Sequence, residues 1–236
     1  ENPDRDVLTG WGVGGLLMEI PTRPRPRALK GDTETGLRIG VVILAAGQAS
    51  RMGASGHHKL LAEFDGEALV RRSARTVLAS SADEKVVVTG HRADDIKSAL
   101  SGLSIETIDN PDYATGMASS IRVGLGHFAD RIDGLMVVLA DMPAVATADL
   151  DAMMAAFRAH EGKAIIRAVA GGKRGNPVIL PAATFDAILK LEGDIGARPI
   201  IEKSGLETVD IDIGAAAHLD VDTPEAIIAA GGILKG

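Results

Sequence analysis

The chain has 236 residues, 46% hydrophobic and 24% charged, enough for one sizeable α/β core and short for two. Its 32 acids against 25 bases leave a formal charge of −7, which gives no positive field to hold a nucleic-acid backbone or an anionic membrane. Cysteine is absent, excluding disulfides, zinc–thiolate and iron–sulfur sites and thiol nucleophiles, and no apolar run or basic-then-apolar leader suggests a membrane helix or signal peptide, so a cytoplasmic protein is expected.

Residues 1–36 read as the end of a preceding domain plus a linker. Trp11 to Ile20 is apolar but too short to fold alone, and Pro21-Thr22-Arg23-Pro24-Arg25-Pro26-Arg27 alternates rigid rings with charge. The chain opens at Glu1 rather than methionine, which fits a fragment or a processed product. From residue 37 to 236 the pattern changes. Leu37 to Leu44 is a continuous aliphatic run of the kind buried on both faces of a parallel sheet. Runs of the same type follow at Lys85 to Thr89, Ser104 to Ile108, Gly134 to Ala140 and Lys163 to Arg167. Helical patterns separate them: Glu67 to Ser81, Ala93 to Ser101, Ser119 to Phe128, and Asp149 to His160 behind a Thr147 placed to cap. The alternation predicts an α/β fold: a doubly wound, mostly parallel sheet with helices on both faces. Ligands in such sheets bind beyond the carboxyl ends of strands, so the informative residues are those that follow the apolar runs.

The first strand empties into Leu44-Ala45-Ala46-Gly47-Gln48-Ala49-Ser50-Arg51-Met52-Gly53, with Lys59 before Leu60-Leu61. Small residues let backbone N–H groups approach a ligand, and Arg51 and Lys59 supply fixed positive charge, a combination suited to a polyphosphate. The loop lacks the G-x-G-x-x-G fingerprint and the P-loop Lys-Ser/Thr. An ordinary βα loop with surface charges is the plain alternative. Asp141 stands where a strong strand ends, ahead of Pro143, and Asp220 and Asp222 lie at alternate positions before Thr223-Pro224. Two such carboxylates converging would suit magnesium, which takes one or two carboxylates plus substrate phosphates. Asp-x-Asp-Thr-Pro is equally a helix-capping sequence.

These residues carry a family resemblance. Leu44-Ala45-Ala46-Gly47 through Arg51-Met52-Gly53 to Lys59-Leu60-Leu61 resembles the signature of the molybdopterin nucleotidyltransferases related to molybdenum cofactor cytidylyltransferase. Ala140-Asp141-Met142-Pro143, Gly175-Asn176-Pro177-Val178, Gly193-Asp194-Ile195-Gly196-Ala197-Arg198 and Asp220-Val221-Asp222-Thr223-Pro224-Glu225 resemble its later motifs, in order, over about residues 38–232. Two departures are Ala49, where serine is common, and the five residues between Gly53 and Lys59, where fewer are usual.

The resemblance implies a Rossmann-like nucleotidyltransferase. Arg51 and Lys59 would stabilise charge on the departing pyrophosphate, and Asp141 and Asp222 would hold Mg2+, with Asp220 behind them. Leu44, Ala45, Ala46, Gly47 and Gly53 would cradle nucleotide, with the base read near Gly90 and Ser120. Asn176, Asp194 and Arg198 would face the acceptor. Asn110, Met117 and Ser119 are weaker candidates. The implied reaction is transfer from CTP to molybdopterin or its molybdenum form, a pterin phosphate, whose product goes to an apo-molybdoenzyme or its chaperone. Alanine at Ala46, where guanylyl enzymes carry a second glycine, points to CTP. Alternatives are the same transfer to a sugar or polyol phosphate, and a non-catalytic module that binds and delivers cofactor. More local readings stand beside these: Ser119 or Ser120 filling a helical turn, and Arg198 pairing with Asp194 on the surface. No role is assigned to His57, His58, His91, His127, His160 or His218, and Tyr113 alone gives no stacking platform for single-stranded nucleic acid.

Overall fold

A computed structural model describes residues 36–49, 52 and 58–234. The chain divides into two units, Glu1–Glu34 and Thr35–Gly236, and everything below concerns the second. The apolar runs of the sequence contribute to one seven-stranded sheet built from β1 (Ile39–Ala45), β4 (Glu84–Thr89), β5 (Glu106–Asp109), β6 (Gly134–Leu139), β7 (Ile165–Ala170), β8 (Lys173–Pro181) and β9 (Thr208–Asp212). A separate hairpin pairs β2 (Glu63–Phe64) with β3 (Glu67–Ala68). The sheet order is β5-β4-β1-β6-β8-β7-β9. β5, β4, β1 and β6 are parallel, β8 runs antiparallel to β6 and β7, and β7 is parallel to β9. The chain leaves β1 toward β4 and β5 on one side and returns to β6 on the other. That reversal opens a crevice beyond the carboxyl ends of β1 and β6.

The period of two along β1 divides the core between the sheet's faces. Ile39, Val41, Ile43 and Ala45 pack with residues of α1 (Leu69–Leu78), α2 (Ala93–Ala99), α4 (Thr147–Ala159) and α7 (Pro224–Ala229). Val42 and Ala46 pack with α3 (Met117–Phe128), α5 (Phe185–Ile188) and α6 (Arg198–Lys203). Two glycines allow this closeness. A Cβ on Gly124 of α3 would lie 2.3 Å from Val42 Cγ2, and one on Gly134 would lie 2.5 Å from the Phe157 ring.

Three local expectations change. Gly175-Asn176-Pro177, which the sequence places just ahead of an apolar strand, lies inside β8, with Pro177 on this interior strand and joined by a cis Asn176–Pro177 bond. Thr147 does not cap α4: Ala146 is the N-cap residue, its N–H donates to Asp149 Oδ2 at 2.9 Å, and the Thr147 hydroxyl donates to the Thr76 carbonyl at 3.0 Å. The segment carrying Asp220 and Asp222 is irregular rather than extended strand. Among the described residues no helix is long and apolar enough to cross a membrane.

Candidate active site

β1 pairs with β6, and the bond from Ala140 N–H to the Leu44 carbonyl at 3.2 Å extends that contact past the last paired residues. It places the small-residue loop from Ala46 to Ala49 beside Asp141. The Ser73 hydroxyl donates to the Ala140 carbonyl at 3.0 Å and secures the turn from α1. Val221, fully buried, donates its N–H to the Asp141 carbonyl at 3.0 Å, so the chain ahead of α7 is pinned to the end of β6. Thr223 caps α7 by accepting from Ala226 N–H at 3.2 Å, and Pro224 occupies the first turn. Thr223, not Asp222, therefore caps α7.

Lys59, from the single 3₁₀ turn Lys59–Leu61, reaches across this arrangement. Its Nζ donates to Asp141 Oδ2 and to Asp222 Oδ1, both at 2.5 Å. The three side chains are 14%, 15% and 28% exposed. Burial by itself lowers the lysine pKa, but the charge and hydrogen bonds of Asp141 and Asp222 outweigh it and raise the value above the usual lysine range. The group stays an ammonium. Asp141 Oδ1 is buried and has no hydrogen-bond partner among the described residues, while Oδ2 is taken by Lys59. An orphaned carboxylate oxygen beside a second carboxylate is a fitting donor set for a hard divalent cation completed by phosphate oxygens. The described residues contain no cluster of three or more His, Cys, Asp or Glu side chains that would hold a metal by themselves.

These groups line a cleft of about 540 Å³, within the range of small-molecule sites. Leu44, Ala46, Gly47, Gln48 and Ala49 form one wall, with Lys59, Asp141, Asp220 and Asp222 at its side. The other wall is Tyr113 to Met117, with Ser120 and Asp194. A Cβ on Gly47 would meet no atom of the described residues within 4 Å, so their packing does not demand a glycine there. Ala49 holds a left-handed φ of 50°, uncommon for a residue with a side chain, and its carbonyl accepts from Met52 N–H at 2.9 Å.

Gly90 does not line the cleft, and it has a packing role instead. Its missing side chain admits Tyr113 and Ala46, whose atoms would lie 2.6 and 2.9 Å from a Cβ there. Ser120 lines the cleft, and its hydroxyl accepts from Asn110 Nδ2 at 3.0 Å. The same amide nitrogen donates to Ser119 at 2.7 Å. Asp194 faces the cleft while its Oδ1 accepts from Met117 N–H at 3.2 Å, and the Gly193 carbonyl accepts from Ala118 N–H at 3.2 Å. The loop carrying Asp194 thus closes the amino end of α3. Asn176 and Arg198 are outside the cleft lining, and Arg198 donates to Glu202 at 2.9 Å instead of pairing with Asp194. Ala45 is buried behind the wall. Arg51 and Gly53 lie outside the described residues.

The sequence reading missed Tyr113, Ala114, Thr115 and Gly116 and undervalued Met117. Their position between β5 and α3 was the available signal. It also passed over His58, which is 4% exposed with neither ring nitrogen hydrogen-bonded among the described residues. His58 stacks on His91 with centroids 5.9 Å apart. Burial first, then the positive charge of Arg92, lower its pKa to about 4, with His91 and Lys59 adding to the effect and the Gly47 backbone opposing it.

Residues 41–209 match the MobA-like NTP transferase domain. Nicotine blue oxidoreductase of Paenarthrobacter nicotinovorans is 26% identical over 83% of this chain and 97% of its own length. The bifunctional IPC transferase and DIPP synthase of Rubrobacter xylanophilus is 33% identical over 42% of this chain, and the match spans 23% of that relative's length. Among solved structures, Rv0371c of Mycobacterium tuberculosis superposes with a TM-score of 0.72 at 22% identity, covering 83% of this chain and 98% of that one. CMP:2-keto-3-deoxy-manno-octonic acid synthetase complexed with CTP superposes with a TM-score of 0.64 at 13% identity, over 82% and 96% of the two chains. With a matched segment that spans most of the chain and a fold shared with nucleotidyltransferases, this chain belongs to the MobA-like NTP transferase family.

Proposed function

We propose that this protein transfers a cytidylyl group from CTP to a phosphorylated acceptor, in a magnesium-dependent reaction that releases pyrophosphate. The observation that carries the reading is the Lys59–Asp141–Asp222 group at the side of a cleft walled by the open Gly47 loop. A divalent ion held by Asp141 and Asp222 would neutralise phosphate charge and orient the triphosphate.

The remaining work belongs to the chain itself. The acceptor phosphate oxygen is already anionic, so no side chain has to deprotonate it. It attacks the α-phosphorus, a new P–O bond forms, and the bond from the α-phosphorus to its bridging oxygen breaks as pyrophosphate leaves with the electron pair. The Gly47 loop brings backbone close to the triphosphate, and Lys59 and Arg51 oppose the charge that grows on pyrophosphate. Ser120 and the Tyr113–Met117 wall border the remainder of the cleft, where base and acceptor must be accommodated.

Ala46 supports CTP. Ala46 lines the cleft, with its Cβ packed towards Gly90, and an added methyl at this position would restrict the loop against a bicyclic purine. One methyl supplies about 1–3 kcal/mol of discrimination, so Ala46→Gly should relax the preference rather than invert it. The acceptor proposed is a pterin phosphate, on the motif resemblance that runs through Gly193 to Arg198. A sugar or polyol phosphate is the main competitor, since the same in-line transfer serves any phosphorylated acceptor.

Pyrophosphate release measured with CTP and GTP against molybdopterin, sugar phosphates and polyol phosphates tests all of this. Release with CTP and the pterin alone supports the full reading, and a preference for GTP would overturn the nucleotide choice. The match to an oxidoreductase over 83% of this chain favours one different reading, a redox activity. Nicotinamide nucleotide oxidation without pyrophosphate release would establish it.

A further inference from the structure

We propose that Lys59 is the resident cation of the Asp141–Asp222 pair and must leave it before a divalent metal can bind, so that metal enters this site together with nucleotide and not ahead of it. The proposal deepens the transferase reading and rests on it.

Lys59 Nζ sits 2.5 Å from one oxygen of each carboxylate. A magnesium or manganese ion bound by the same two residues would lie in the same small volume. Two cations cannot share it, because at such separations, in a partly buried site, their repulsion is barely screened. Asp141 Oδ1 is buried and unpartnered among the described residues, so lysine alone does not satisfy the Asp141 carboxylate.

Lys59 also has somewhere to go. It lines the cleft together with Gly47, and its flexible four-carbon stem can carry the ammonium from the carboxylates to a triphosphate. Arrival of the nucleotide therefore does two things. It gives Lys59 a more highly charged partner, and it offers the metal the phosphate oxygens that two carboxylates alone do not provide. Each ligand then raises the affinity for the other by the same factor, as linkage requires.

The test uses the full chain and Mn2+ as the probe, with free Mn2+ followed by its electron paramagnetic resonance signal. Wild type, Lys59→Met and Lys59→Arg are each titrated with and without a CTP analogue whose α,β-bridge is methylene, against a protein-free control. Wild type and Lys59→Arg should bind Mn2+ weakly alone and at least tenfold more tightly with the analogue. Lys59→Met should bind Mn2+ alone at least tenfold more tightly than wild type. Equal or weaker Mn2+ binding by folded Lys59→Met would overturn the proposal. If that variant does not fold, the wild-type comparison decides, since Mn2+ binding that is as tight without the analogue as with it would overturn the proposal too. Failure of cytidylyl transfer alongside the expected Mn2+ titrations would instead count against the transferase reading alone.

Discussion

Lys59, Asp141 and Asp222 come from a 3₁₀ turn, a strand end and a helix approach, and each depends on the other two for its charge to be tolerated in a partly buried place. Asp141→Asn or Asp222→Asn keeps shape and removes charge. Each should lower turnover about 10²-fold or more, the scale found when one electrostatic stabiliser is lost, with circular dichroism unchanged. Full activity in both variants would remove these residues from the chemistry. His58 makes a separate claim about pH. Its folded pKa of about 4 lies below the ordinary imidazole value of 6.5, so between these limits the unfolded chain binds more protons. The stability His58 contributes is complete above pH 6.5 and is lost as pH falls toward 4, by up to about 3 kcal/mol at 1.36 kcal/mol per unit. Urea midpoints from pH 7 to 4 should therefore fall more steeply for wild type than for His58→Gln. Parallel curves would show that the imidazole is not titrating as placed.

At the scale of elements, α3 is the one most closely fitted to the sheet. Gly124→Ala would gain about 1 kcal/mol in helix propensity. The new methyl, however, would lie 2.3 Å from Val42 Cγ2, and Val42 is fully buried on the central strand β1. Overpacking of this kind costs about 1–3 kcal/mol, so the net expectation is destabilisation, read as a lower urea midpoint. The amino end of α3 carries one wall of the cleft, so displacement of the helix should also raise the KM for nucleotide. A variant as stable as wild type with unchanged KM would mean that α3 and β1 have more room than their separation suggests. The loop holding Gly193 and Asp194 acts on the same amino end of α3, through the Met117 and Ala118 N–H groups. Gly116, at a φ of 113°, can approach Gly193 because a Cβ there would lie 2.4 Å from the Gly193 carbonyl carbon.

At the scale of the molecule, the division at Glu34 and Thr35 accompanies a change in sequence character from proline–arginine linker to alternating strands and helices. We expect a chain starting at residue 37 to keep its nucleotide transfer and its urea midpoint, since the site's described residues all belong to the second unit. Loss of folding on that truncation would place residues 1–36 within the transferase itself.

What could be read directly from residues was what depends on neighbours in the chain. The aliphatic run at β1 is buried on both faces whatever surrounds it, and the period of helices such as α1 and α4 follows from side chains three and four apart. The glycine loop and Asp141 were legible because both directly follow strong strands. The antiparallel course of β8 was not, since an apolar segment bears no mark of its direction until it meets a partner strand. The packing role of Gly90 was not legible, because a glycine needed for close packing and one needed for ligand approach look alike in sequence. Arg198 found Glu202, one turn along its own helix, rather than Asp194. Asp222 lies beyond the segment that matches the family, 81 residues after Asp141, and the Val221 backbone bond and the reach of Lys59 bring it to the site. Local hydrophobic periodicity determined the elements and the strand ends where chemistry gathers. Which charges meet there was decided by tertiary structure, because an ion pair depends on separation in space, and distance along the chain says almost nothing about it.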